Sequence, residues 1–513
     1  MRVALTVGDF LERAALVYGD RVAVVDEPGA EGSLGRVTYA ELHHRARAMA
    51  AGLDALGVDP GERVAIVSPN SGRFLTSFFG VSGFGRILVP INFRLTTDEI
   101  AYVVDHSGST ALLHDPDLDD TVAGIDVPHK VRLDGVADAA VFAAGGQDPA
   151  RWEADEDATC SINYTSGTTA RPKGVELTHR NCWINATVLG WHSTVTDRDV
   201  LLHTLPMFHC NGWGMPYGVT GMGGKHVVLR KVDGEEILSR IEAEGVTLMC
   251  GAPAVVAAIL DAATARRAEG REVPGRGLVR MVVAGAPPPS ATIERVETDL
   301  GWEFIQIYGL TETSPMLTVN RAPAEWDGLS SGERARRLGR AGVPAIGVRI
   351  AVDEEGEVLA RANQVFAGYW DQPEESAKAL VDGWFHTGDG GYLDGAYTVI
   401  SDRKKDVIIT GGENVSSIEV EDVLYQHPAV AEVAVIGIPD EKWGETIKAL
   451  VVLRAGAAAT EQELIDHCRA KMAHFKAPRS VELREVLERT ATGKLQKYKL
   501  RQPYWAERDR QVN

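Results

Sequence analysis

Between residues 39 and 91 the chain switches twice between a helical and an extended apolar pattern. Tyr39 to Leu56 puts Leu42, Ala46, Met49 and Leu53 on one helical face, with Gly57 placed to close the helix. Arg63-Val64-Ala65-Ile66-Val67 then reads as a buried strand, Phe74 to Gly85 as a second helix, and Ile87-Leu88-Val89-Pro90-Ile91 as another strand. Helices alternating with continuously apolar strands leave few options besides a layered α/β domain. The same grammar precedes this stretch, with a helix over 6–18 and a strand Val22-Ala23-Val24-Val25. It also follows it, with strands at Thr247-Leu248-Met249-Cys250, Val279 to Val283 and Phe304 to Tyr308.

Near residue 395 the pattern changes. A strand Ala396 to Ile400 runs into the charge cluster Asp402-Arg403-Lys404-Lys405-Asp406. Beyond it lie a Gly411-Gly412 turn, a helix around Ile418 to Gln426, strands Val433 to Ile438 and Ala449 to Leu453, and a helix from Glu461 to Met472. That is enough for a small α+β domain. At 513 residues the chain is also too long for one core. The expected division is 1–402, a junction at 403–405, and 406–513. The charge cluster itself reads equally as a solvated turn.

Charge and cysteine usage exclude several classes. The net charge of −19 argues against a nucleic-acid binder or an anionic-membrane binder, both of which need a basic surface. Five scattered cysteines form no C-x-x-C pair, so a zinc site or disulfide framework is not expected and a reducing cytoplasm fits. No signal peptide is read, and no apolar run approaches the ~20 residues of a membrane span. Gly328-Leu329-Ser330-Ser331-Gly332 matches the nucleophile elbow of hydrolases, but Ala324-Glu325-Trp326-Asp327 before it is not strand-like, so the elbow is rejected.

The strongest chemical signal is Tyr164-Thr165-Ser166-Gly167-Thr168-Thr169-Ala170-Arg171-Pro172-Lys173-Gly174. A hydroxyl- and glycine-rich loop between two strands can turn its N–H groups and hydroxyls onto an anion, and Lys173 adds a point charge. The same composition also suits a solvated hairpin turn, and both readings stand at this point. It is not the G-x-x-x-x-G-K-[ST] loop.

Three further stretches add to it in order: Gln306-Ile307-Tyr308-Gly309-Leu310-Thr311-Glu312-Thr313, Gly383-Trp384-Phe385-His386-Thr387-Gly388-Asp389, and Thr490-Ala491-Thr492-Gly493-Lys494-Leu495. Together the four stretches resemble the adenylate-forming superfamily of acyl-CoA synthetases, peptide-synthetase adenylation domains and beetle luciferases. Pro206-Met207-Phe208-His209-Cys210-Asn211-Gly212-Trp213 and Gly411 to Glu419 are similar to the fatty-acyl-CoA synthetase (acyl-CoA ligase) subgroup.

The resemblance implies a large layered α/β N-terminal domain and a small mobile α+β C-terminal domain turning on a hinge at 403–405, with Lys405 at the hinge position. It implies a ligase that joins a medium- or long-chain fatty acid to ATP as acyl-AMP and passes it to CoA. The alternatives are an aryl or short modified acid, or a carrier protein or amine as acceptor. By resemblance Thr165, Ser166, Gly167, Thr168, Thr169 and Lys173 hold the β/γ-phosphates, Glu312 binds Mg²⁺, and Thr311 faces the α-phosphate. Tyr308 stacks on adenine beside Gly285, Ala286 and Pro287, and Asp389 and Arg403 take the ribose. Lys494 is the catalytic lysine delivered by the small domain, and Gly412 lines the pantetheine tunnel.

His209, Trp213 and Gly285 are the acyl-pocket candidates, with His209 near the carboxylate. The alternation Trp213-Gly214 and Tyr217-Gly218 is expected to leave room for a chain or ring. Trp443 and Phe475-Lys476 are expected at CoA, and Lys494, Lys497, Lys499 and Arg501 read otherwise as a solvated basic face. The expected partners are a small carboxylic acid, ATP and CoA. A homodimer is left open.

Overall fold

The computed structural model describes residues 1–142, 148–165, 171–286, 288–403, 406–410, 413–440, 443–489 and 495–505. The apolar runs that demanded burial form the middles of two sheets. In a seven-stranded sheet, Ile87–Ile91, Arg63–Val67, Ser109–His114 and His129–Arg132 run parallel, and Thr159–Thr165 is added parallel beside Ile87–Ile91. Lys173–Thr178 and Gly368–Tyr369 complete it antiparallel. In a nine-stranded sheet, Val22–Val25, Lys225–Val228, Val200–His203, Leu248–Gly251, Arg280–Val283 and Glu303–Gly309 are parallel neighbours. Met316–Arg321 and Val343–Pro344 lie antiparallel at one edge and Arg36–Thr38 at the other.

Local chemistry sets the helix ends. Helix Tyr39–Ala55 starts at Thr38, whose hydroxyl accepts from the Glu41 N–H while the Glu41 carboxylate accepts from the Thr38 N–H. The helix expected at Phe74–Gly85 is shorter. Ser71 accepts from the Phe74 N–H and starts it at Gly72; it ends at Gly80, and a 3₁₀ turn Ser82–Phe84 closes at Gly85, whose φ of 81° needs glycine. Ser330 of the rejected elbow is a helix cap, bonded to Glu333.

A third, wholly antiparallel sheet was not anticipated. It orders Arg349–Val352, Glu357–Arg361, Trp384–Asp394 and Leu380–Val381, with Tyr397–Arg403 paired to residues 389–394 on the same side as Leu380–Val381. The tight hairpin over 353–356 turns at Gly356 (φ 80°). The fourth sheet begins at Ile408–Thr410 and includes Glu413–Val415, Gly444–Leu453, Val430–Asp440 and Ser480–Leu483, around a separate apolar core of Ile408, Val420, Val433, Ile447 and Leu464. The molecule is thus a large N-terminal α/β domain and a smaller C-terminal one. Residues 404–405, with the expected hinge lysine, lie outside the described residues. The small domain touches the large one through helix Ser417–Tyr425, where Asp422 accepts from the Ser290 backbone N–H at 3.0 Å.

Candidate active site

The C-terminal end of strand Glu303–Gly309 and the turn after it organise a cluster of polar side chains. Gly309 is required there by close approach: a Cβ on it would stand 1.6 Å from the Pro315 carbonyl oxygen. The Tyr308 hydroxyl donates to Asp389 Oδ2 at 2.8 Å, and Asp389 is buried on the third sheet. The Asp389 N–H is held by the Thr387 hydroxyl at 3.1 Å, and Arg403 stands directly opposite Asp389 in the strand register. An aromatic ring and a buried carboxylate, 81 residues apart in sequence, thereby share one hydrogen bond.

Four residues along, Glu312 sits in the 3₁₀ turn Thr311–Thr313. Its Oε1 accepts from the Tyr369 hydroxyl at 2.9 Å. Burial, and then the Glu312 charge, push the Tyr369 phenol well up. The Lys173 ammonium lies over the Tyr369 ring at 4.8 Å and is ion-paired with Glu375. Lys173 and Lys378 hold the Glu375 carboxyl down at about 2. Carboxylate, phenol, ammonium and carboxylate thus form a continuous line between the turn after one sheet and the first strand after the 166–170 loop.

A second feature lies beside the Thr311 turn. Cys210, Asn211, Gly212, Trp213 and Gly214 all have positive φ, from 45° to 79°, a left-handed turn that side chains with a Cβ resist. A buried polar network holds it. Asn211 Oδ1 accepts from Ser161 Oγ at 3.1 Å and from Asn163 Nδ2 at 3.2 Å, and Asn185 Nδ2 donates to the Trp213 carbonyl at 3.0 Å. The Cys210 thiol, pushed up by burial, points to the Thr311 carbonyl at 3.9 Å. Ser161 and Asn163 lie on strand Thr159–Thr165, so this network joins that strand, the turn after His209 and the Thr311 turn.

Comparison with known proteins meets this geometry. Residues 11–370 match the AMP-binding enzyme family and residues 419–494 the AMP-binding enzyme C-terminal domain. The chain belongs to the AMP-binding enzyme family. Among similar proteins, 2-methylpropanoate–CoA ligase of Humulus lupulus is 38% identical over 97% of this chain and 94% of its own. Feruloyl-CoA synthase of Amycolatopsis sp is 37% identical, over 91% and 94%. The crystal structure of the anthranilate CoA ligase AuaEII in complex with anthranoyl-AMP superposes with a TM-score of 0.86 at 26% identity, covering 98% of each chain. This member of the AMP-binding enzyme family is an AMP-forming acid–CoA ligase that uses ATP and CoA.

Of the residues expected at its site, Tyr308, Asp389, Glu312 and Lys173 converge as described, and Thr165 ends its strand half-buried beside them. Thr311 reaches the same turn. Gly285, at a φ of 89°, and Ala286 follow strand Arg280–Val283, and Gly285 is exposed. His209 is half-buried at the head of the left-handed turn. Trp443 lies in the small domain, with the Arg479 guanidinium 4.6 Å over its ring, while Phe475 is exposed and Lys476 pairs with Glu419. Ser166, Gly167, Thr168, Thr169, Pro287, Gly412 and Lys494 lie outside the described residues.

Two expectations are corrected. Tyr217 is fully buried among Phe10, Phe78 and Phe79, so it is core. The space beside it is filled: a Cβ on Gly214 would stand 2.7 Å from the Asn185 amide, and one on Gly218 3.0 Å from the Ala186 carbonyl. Those glycines let helix His179–His192 approach, so the space that a side chain would take at them is filled by that helix. Lys497 and Arg501 are not a solvated face either. Lys497 pairs with Glu421 at 2.8 Å and Arg501 with Asp406 at 2.8 Å, all four largely buried, while Lys499 is exposed. Tyr369, Glu375 and Asn211 went unrecognised as site residues. A glycine–tyrosine pair shortly before Pro373-Glu374-Glu375 was the available signal for the first two.

Proposed function

We propose that this chain activates a compact carboxylic acid, a short branched or hydroxylated acyl group or an aryl acid, as its adenylate and transfers it to CoA. The carrying observation is the line Glu312–Tyr369–Lys173–Glu375 beside the Tyr308–Asp389 pair. One end offers charge for phosphates and a hard carboxylate oxygen; the other offers a ring and a carboxylate suited to adenine and ribose. In the first step a carboxylate oxygen attacks the α-phosphorus of ATP and pyrophosphate leaves. In the second the CoA sulfur attacks the acyl carbon, the C–O bond to AMP breaks, and the thiol proton is released.

Both reacting groups of the first step are anionic, so oriented positive charge is the main requirement. Lys173 supplies it at the β/γ end, with the 166–169 hydroxyls and amides, and Lys494 at the carboxylate and α-phosphate. Glu312 is the residue to hold Mg²⁺, whose chemistry is to neutralise phosphate charge. Thr311 faces the α-phosphate, Asp389 accepts from the ribose hydroxyls with Arg403 opposite it, and Gly285-Ala286-Pro287 borders the base. His209 lies toward the acid, and Gly412 and Trp443 toward CoA. The hinge is kept at 403–405, supported by the change from third to fourth sheet. A cytoplasmic setting is supported by five buried free cysteines. Among the described residues no helix is long and apolar enough to cross a membrane.

The compact acid is preferred here to the medium- or long-chain fatty acid first expected. Relatives named for 2-methylpropanoate and ferulate agree with it. The test is AMP release over a panel from propanoate to palmitate plus cinnamic and benzoic acids, with and without CoA. Acids of up to about six carbons or one ring should lead, with CoA required for turnover. Faster turnover of dodecanoate or palmitate overturns the compact-acid reading, and turnover only with a carrier protein or amine overturns the acceptor.

A further inference from the structure

Lys173 and Glu312 come from different sheets and are not in contact with each other in sequence or through a shared backbone bond. Their backbones are tied through residues 366–370, where the Phe366 N–H donates to the Glu312 carbonyl at 2.8 Å and the Ala367 N–H to the Glu176 carbonyl at 3.0 Å, and the two charged heads are linked by one side chain. Tyr369 presents its ring face to the Lys173 ammonium at 4.8 Å and its hydroxyl to Glu312 Oε1 at 2.9 Å. The tyrosine is itself fixed three ways. Its strand Gly368–Tyr369 pairs with Lys173–Thr178, its N–H donates to Ser376 Oγ at 2.8 Å, and its ring meets Phe366 edge-on at 4.9 Å. Ser376 lies on the short helix Pro373–Ala379 that also carries Glu375, so the Lys173 counter-charge is indexed to the same tyrosine.

Resting on the ATP-site reading above, we propose that Tyr369 is the positioning residue that registers the phosphate-binding ammonium of Lys173 against the metal-binding carboxylate of Glu312. Glu375 is the counter-charge that holds Lys173 in place and yields it when a triphosphate enters. The ring keeps the ammonium by its face, an interaction that survives desolvation. The hydroxyl fixes one Glu312 oxygen and so orients the carboxylate, as groups behind a metal ligand do. Glu375 competes with phosphate for the same ammonium, so its charge weakens ATP binding while keeping the lysine from straying.

Three variants separate these roles, read by calorimetric binding of ATP with and without Mg²⁺ and by acid-dependent pyrophosphate exchange, with melting temperature as the folding control. Tyr369→Phe keeps the ring and removes the hydroxyl. Metal-free ATP affinity should stay within about twofold, while the Mg²⁺ concentration for half-maximal tightening of ATP rises about tenfold. Tyr369→Leu should lose both, weakening metal-free ATP binding as well. Glu375→Gln should tighten metal-free ATP binding several-fold with the Mg²⁺ response unchanged.

An unchanged Mg²⁺ response in Tyr369→Phe overturns the registering role, and weaker ATP binding in Glu375→Gln overturns the yielding counter-charge. Lys173→Ala serves as the reference. If it binds ATP normally, the ATP-site reading itself fails. If it does not, while Tyr369→Phe is indistinguishable from the parent, only the present inference fails.

Discussion

Replacing Asn211 tests whether the left-handed turn is held by side-chain chemistry. Asn211 is 2% exposed, and its carbonyl oxygen is the acceptor for Ser161 and Asn163. In Asn211→Ala both donors lose that acceptor inside a dry site. Asn163 still reaches Ser161 Oγ at 2.7 Å, so one donor, not two, is stranded. A stranded buried donor costs about 1–3 kcal/mol. Alanine at a φ of 51° adds about 1 kcal/mol that asparagine largely avoids. The expected loss is therefore about 2–4 kcal/mol for alanine. For Asn211→Gly it is about 1 kcal/mol less, since glycine takes the left-handed torsion freely. Urea unfolding followed by tryptophan fluorescence reads both. Pyrophosphate exchange should fall further than stability alone explains, because His209 precedes the turn and Trp213 lies in it. Parent-like stability and exchange in both variants would show that the backbone holds this turn without the network and refute the reasoning.

Acid should destabilise the large domain. Burial pushes His179 down to about 4 and His203 down to about 3, and pushes His226 well below its usual value. Unfolded imidazoles take up protons near pH 6.5 while these stay neutral. The unfolded state then binds more protons, and stability falls as pH drops through that value, by about 1.4 kcal/mol per unit for each histidine. Melting curves between pH 8 and 5 should be flat at the top and steep below pH 6; a flat profile throughout contradicts the neutral burial of His203 against His226. Asp389→Asn should raise the KM for ATP about tenfold or more with little change in kcat, the scale of one lost charge-assisted hydrogen bond; steady-state kinetics in ATP decides it. Lys494→Ala should abolish acyl-adenylate formation yet leave thioester formation from supplied acyl-adenylate largely intact, and Gly412→Leu should do the reverse. Equal loss of both half-reactions in either variant contradicts the assignment.

What could be read in advance follows from where the information lies. Strands such as Arg63–Val67 and Ile87–Ile91 are buried on both faces, so their apolar runs are unmistakable, and their bounds were read to the residue. Of the third sheet only Tyr397–Arg403 was read, as the strand Ala396 to Ile400; Leu380–Val381 is two residues long and Arg349–Val352 is half-exposed, leaving no apolar run or clean alternation there. Site residues inside dense motifs, Tyr308, Glu312 and Asp389, were nameable by resemblance. Tyr369 and Glu375 were not: Gly368-Tyr369 ahead of Pro373-Glu374-Glu375 marks a local motif, but that Glu375 meets Lys173 across 202 residues is visible only in the fold. Asn211 was read as part of a pocket motif, but its torsion and its acceptor role depend on Ser161 and Asn163, about 50 residues earlier, and only packing shows that. Lys497 and Arg501 misled for a related reason, since a basic cluster reads as solvated until Glu421 and Asp406 are folded beneath it.

The central claim is that a carboxylate is joined to the α-phosphorus of ATP at the site marked by Lys173, Glu312 and Asp389. The most direct measurement is exchange of labelled pyrophosphate into ATP by the purified enzyme, without CoA, across the acid panel. The account predicts exchange that depends on the acid, proceeds without CoA, and is lost in Lys173→Ala and Glu312→Gln. Exchange absent with every acid, or undiminished in both variants, would contradict it.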